Sequence, residues 1–88
     1  MFLYIEDGIN KLVNISISKL NSITIDKVRL GPIVEINYDE YRMELKLQEN
    51  AKAIDYYNFF KSLEERYEII KSKEFDEEFK SYFKKESL

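Results

Sequence analysis

The stretch "INYDEYRMELKL", residues 36–47, has an apolar alternation that reflects across an acidic pair. Ile36 and Tyr38 lie on one side of Asp39-Glu40, and Tyr41, Met43, Leu45 and Leu47 on the other. A two-residue connection at Asp39-Glu40 sets Tyr38 opposite Tyr41, Ile36 opposite Met43 and Val34 opposite Leu45. Each pair is apolar on both strands, as the buried face of an antiparallel ladder requires. A slip of one residue would turn every one of these side chains to solvent, so the pattern fixes the register as well as the strands.

Upstream, "KLVNISISKL" alternates Val13, Ile15 and Ile17 with polar Asn14, Ser16 and Ser18, the period of a half-buried strand. Ile23 and Ile25 continue in odd phase, Val28 and Leu30 are even, and the flip at Asp26-Lys27 demands a bulge or turn. Gly31-Pro32 is a second interruption before Val34. Asp7-Gly8 suits a two-residue hairpin turn joining Phe2–Glu6 to Ile9–Val13. Helical spacing at Phe2, Ile5, Ile9 and Leu12 competes with it, but Gly8 inside a helix costs about 1 kcal/mol, which favours the hairpin.

After Asn50 the period changes. Ala53, Tyr56, Tyr57, Phe60, Leu63, Tyr67 and Ile70 recur at three and four, which predicts an amphipathic helix over residues 51–71 with Asn50 as N-cap. Phe75, Phe79, Tyr82 and Phe83 form a second stripe rotated from the first, so the chain breaks or kinks near Ser72 and a shorter helix covers 73–86. Glu74, Asp76, Glu77 and Glu78 then open that helix and Lys80, Lys84 and Lys85 close it, the order its dipole favours. The expected fold is a single α+β domain, residues 1–88. Its antiparallel sheet has about four strands over residues 11–48, covered on one face by the long helix with the short C-terminal helix beside it.

The composition excludes much chemistry. The 88 residues include no Cys, His or Trp, so there is no disulfide, no thiolate or imidazole nucleophile and none of the usual zinc or haem ligands. The two glycines, Gly8 and Gly31, form no phosphate loop. Glu64, Glu65 and Glu68 fall within one predicted helical turn, but Lys61 and Lys71 lie at ion-pairing offsets, which reads as a charge-laced solvent face rather than a cation site. The expectation is no enzyme, no cofactor and no metal. "MFLYI" is followed at once by Glu6 and Asp7, too short an apolar run for a signal peptide or a span, and the lack of cysteine fits a reducing cytoplasm.

Charge narrows the partners. The net charge is −3, and residues 35–50 hold five acids, Glu35, Asp39, Glu40, Glu44 and Glu49, against two bases, Arg42 and Lys46. An acid surplus argues against direct nucleic-acid binding, which needs a basic face. It suits a protein partner with a basic nucleic-acid-binding groove. The candidate contact residues are those five acids with Tyr41, together with Phe59 and Ile69, which lie off the centre of the long helix's apolar stripe; the last helix is expected to cover part of that surface and to leave Phe59 or Ile69 exposed. Small, acidic proteins without catalytic residues include phage and mobile-element inhibitors, immunity-type and anti-CRISPR proteins among them; the analogy is one of size and charge. The functional expectation is therefore a non-catalytic inhibitor of this kind. The alternative is an accessory or self-associating subunit, a homodimer included.

Overall fold

A computed structural model describes residues 2–5, 11–27, 31–38, 41–66 and 68–86. The Asp7-Gly8 turn, Val28, Leu30, the Asp39-Glu40 pair and Tyr67 lie outside the described residues.

The mirrored alternation becomes strands β4, Ile33–Tyr38, and β5, Tyr41–Lys46, paired antiparallel with Val34 opposite Leu45, Ile36 opposite Met43 and Tyr38 opposite Tyr41. Strand β3, Leu20–Asp26, joins the other side of β4, with Ile23 opposite Ile36 and Ile25 opposite Val34. A bulge between Leu20 and Ser22 interrupts that ladder. Val34, Ile36 and Tyr38 are buried while Arg42 and Glu44 are exposed, so the sheet has one core face and one wet face.

The first pair of strands also forms. Strand β1, Phe2–Ile5, pairs antiparallel with β2, Lys11–Asn14. Leu3 faces Val13, one residue away from the register that a turn confined to Asp7-Gly8 would give. These strands build a separate sheet rather than extending the first. The expected single sheet of about four strands over residues 11–48 is thus corrected: β2 belongs to one three-stranded sheet and β3, β4 and β5 form another. The cause lies in "SISK". Ile17–Lys19 makes one 3-10 turn, closed by Lys19 N–H to the Ser16 carbonyl at 3.0 Å, and redirects the chain. The Ser16 and Ile17 amides go to the Tyr38 hydroxyl and the Glu64 carboxylate instead of a ladder. Alternation alone does not separate a strand from an extended corner that happens to bury Ile15.

The second correction concerns the long helix. Helix α1 covers Ala53–Leu63 only. Its end tightens through Glu64 N–H to Lys61 C=O and Arg66 N–H to Leu63 C=O, and Ile69–Lys71 forms strand β6, parallel to β1. Phe2 N–H donates to the Glu68 carbonyl at 2.8 Å where the two strands meet. The β-branched pair Ile69-Ile70 suits a strand, and β1 offers it a ladder that a helix end would leave unpaired. Ile70 is buried and Ile69 exposed, a strand's alternation. Asn50 is not the N-cap either. It sits in a turn at φ 68°, a left-handed conformation that Asn tolerates, and Lys52 caps α1 with its amide held by the Asp55 carboxylate at 2.7 Å.

A 3-10 turn at Ser72–Glu74 leads into helix α2, Phe75–Glu86, close to the expected second helix. Asp76, Glu77 and Glu78 fall in its first turn and Lys84 and Lys85 in its last. The core joins both sheets and both helices: Leu3, Val13 and Ile70 from one sheet, Val34, Ile36, Tyr38 and Leu45 from the other, and the aromatic side chains of α1 and α2. Phe60 and Leu63 are fully buried, as the stripe requires.

Candidate interaction surfaces

Glu35 and Glu44 are cross-strand neighbours on the wet face of the β3-β4-β5 sheet. Two carboxylates so placed repel, and Arg42 stands between them: its Nε lies 2.9 Å from Glu35 Oε1 and its Nη2 3.8 Å from Glu44 Oε1. The structure thus brings together two of the predicted contact acids and partly neutralises them. Glu49 is exposed in the turn before α1. Tyr41 is half-buried, opposite Tyr38 and packed against the core. Asp39 and Glu40 lie outside the described residues.

Phe59 is not a surface residue. It is 1% exposed, enclosed by Phe75, Phe79 and Tyr82 with ring centroids 5.2–5.3 Å away. The reason is α2, whose aromatic stripe packs against the side of α1 that an isolated helix would leave open. Of the two residues set off the stripe, Phe59 is the covered one, which corrects its place among the candidate contact residues. The glutamates of the supposed charge-laced face also part company: Glu64 accepts the Ile17 amide, while Glu68, beyond the helix, pairs with Arg66 at 2.7 Å. Among the described residues no group of His, Cys, Asp and Glu side chains is placed to hold a metal ion.

Ile69 is 64% exposed and has company that the sequence did not reveal. In the β2-β1-β6 sheet, Leu3, Val13 and Ile70 point inward, so Phe2, Tyr4, Leu12 and Ile69 share the opposite face. Phe2 lies opposite Ile69, and Tyr4 opposite Leu12. Phe2 and Leu12 are 38% and 53% exposed, so the outer face carries a contiguous apolar patch, with polar Asn14 beside Phe2 and Lys71 beside Tyr4. The signal was present in "FLYI" and "KLVN", where apolar residues occupy both faces of a strand. It could be read only once the partner strands were known.

Comparison with protein-family models, with curated proteins and with solved structures gives no match. No helix among the described residues is long and apolar enough to cross a membrane.

Proposed function

We propose that this chain is a small non-catalytic module that binds a partner protein through the outer face of the β2-β1-β6 sheet. The observation that carries the reading is the solvent exposure of Phe2, Leu12 and Ile69 on one contiguous face. An exposed apolar patch costs solubility and invites association, and soluble proteins that keep one use it for contact. The acidic residues Glu35, Asp39, Glu40, Glu44 and Glu49 give the partner its sign: a protein with a basic, nucleic-acid-handling groove, drawn in by charge and blocked by occupancy. Inhibition of the immunity or anti-CRISPR type is the activity proposed with such a partner, by analogy of size and charge.

Immobilised wild-type protein and a Leu12→Asp/Ile69→Asp variant, both confirmed folded by circular dichroism, test the reading on one cell lysate. The expected result is a basic nucleic-acid-binding protein held by the wild type alone, whose nucleic-acid binding the wild type blocks and the variant does not. Retention of the same proteins on both columns would overturn it.

A further inference from the structure

The two edges of the β3-β4-β5 sheet are treated differently. At β5, the Lys46 amide donates to Asp76 Oδ1 at 2.9 Å and the Lys46 carbonyl accepts the Tyr56 hydroxyl at 3.0 Å. That hydroxyl also accepts the Gln48 amide at 3.1 Å. Side chains of α1 and α2 therefore cap the end of that edge at Lys46, and Arg42, Glu44 and Lys46 add charge along it. From Asn21 to Ile25, β3 shows no such contact among the described residues. It is seven residues long, carries one charged residue, Asp26, and contains no proline. Among the described residues its edge from Asn21 to Ile25 meets no second strand. Half of the backbone N–H and C=O groups there point away from β4, as in any edge strand.

Beside this edge runs an apolar groove of about 360 Å³, between β3 and the first half of α1, lined by Leu20, Ile23, Ala53, Ile54 and Tyr57 among others. Ile54 is 56% exposed there and Tyr57 40%. An open edge next to an apolar groove takes an extended strand whose backbone completes the ladder and whose alternate side chains enter the groove.

We infer that the occupant is β3 of a second copy of this chain, paired antiparallel about a two-fold axis at Thr24. The strand needed is one that is already extended, so that little ordering entropy opposes docking, and β3 is such a strand, held in place along β4. With Thr24 on the axis, Ile25 of the second copy lies opposite Ile23, on the core side of the sheet, where it enters the groove between β3 and α1. By symmetry Ile25 of the first copy enters the other groove, and a continuous six-stranded sheet results. Asp26 falls opposite Ser22 of the second copy rather than opposite its own mate. No like charges therefore stand directly opposite each other in the paired segment. The bulge between Leu20 and Ser22 ends the paired segment before the chain turns away. This interface is separate from the outer face of the β2-β1-β6 sheet, so each can fail without the other.

Light scattering after size exclusion, at about 100 μM protein to populate dimers of micromolar Kd, tests the pairing. The wild type is expected at twice the chain mass of 10.6 kDa. Thr24 is exposed, and Thr24→Lys or Thr24→Glu places like charges directly opposite at the axis, so each variant, folded by circular dichroism, is expected at the monomer mass. An equimolar mixture of the two variants restores the dimer by pairing Lys with Glu. A monomeric wild type overturns the inference, as does a dimer that survives both single substitutions. A mixture that stays monomeric overturns the placement of the axis at Thr24, and a dimer broken only by Leu12→Asp/Ile69→Asp assigns self-association to the other sheet.

Discussion

The phenolic hydroxyl of Tyr38, on β4, donates to the carbonyl of Asn14, at the end of β2, at 2.8 Å. The same oxygen accepts the Ser16 amide. One side chain thus satisfies two backbone groups at the corner where the chain leaves one sheet for the other, while its ring stacks on Phe60 with centroids 6.0 Å apart. Tyr38→Phe keeps the ring and removes the bridge, leaving a part-buried carbonyl and amide without that partner. The expected cost is about 1–3 kcal/mol, seen as a lower urea midpoint with an unchanged slope. A midpoint equal to that of wild type would mean that water replaces the bridge without penalty.

Phe59 and Ile69 give opposite expectations from residues that looked alike in the sequence. Phe59 sits in the aromatic cluster between α1 and α2, so Phe59→Ala is expected to cost about 3–5 kcal/mol in chemical denaturation. Ile69 is largely exposed on β6, and Ile69→Ala is expected to stay within about 0.5 kcal/mol. A large loss at Ile69 would return it to a buried helix face and contradict the parallel β1-β6 pair.

Tyr56 sets an alkaline limit. Burial raises its pKa above the ordinary tyrosine value, the hydrogen bond with the Gln48 amide opposes this, and the nearby Asp76 and Asp55 carboxylates add to the rise. The folded state therefore holds this proton more tightly than the unfolded chain does. Its contribution is complete below the unfolded value of about 10 and is lost as pH climbs from there through the folded value. Tyr82 is shifted the same way, by burial first and then by Glu86 and Asp55. Melting temperature is expected to be flat with respect to these groups up to about pH 9 and to fall above about pH 10. Tyr56→Phe should be less stable at neutral pH, having lost the hydrogen bonds at Lys46 and Gln48, and should show a shallower alkaline decline.

The β4-β5 ladder was legible because it is local: the side chains that pair are a few residues apart and the alternation states the register. The aromatic stripes of α1 and α2 were legible for the same reason. What was hidden depends on distant partners. Ile70 fits a helical spacing that started at Ala53, yet it pairs with Leu3, and no window along the chain contains both. Ile15 and Ile17 alternate as a strand would, but the hydrogen bonds of Tyr38 and Glu64 turn that segment into a corner. The candidate surface suffered most. The spacing that sets Phe59 and Ile69 off the stripe does not say which of the two α2 covers, and the outer face shared by Phe2, Tyr4 and Leu12 exists only after three strands are assembled.

Arg42 offers a way to test whether the carboxylates around it act on a partner. It stands between Glu35 and Glu44 and is itself 61% exposed, so its ion pairs contribute only about 0.2–1 kcal/mol to folding. Arg42→Gln leaves the two carboxylates facing each other across the ladder, makes the surface more negative by one charge, and should lower stability by about that small amount. Toward a basic partner the change works the other way. Association should become faster at low ionic strength, with the gain fading as salt is added and the dissociation rate little altered, because a charge outside the contact steers the encounter without joining it. Asp39→Asn with Glu40→Gln should produce the reverse, slower association and a weaker salt dependence, with the fold intact. Stopped-flow or surface-binding kinetics at two ionic strengths, using the protein retained by the wild-type column, read both effects. Equal on-rates for wild type, Arg42→Gln and the double variant at low salt would show that the acidic strand pair takes no part in recognition, and would leave the apolar face of the β2-β1-β6 sheet to account for binding by itself.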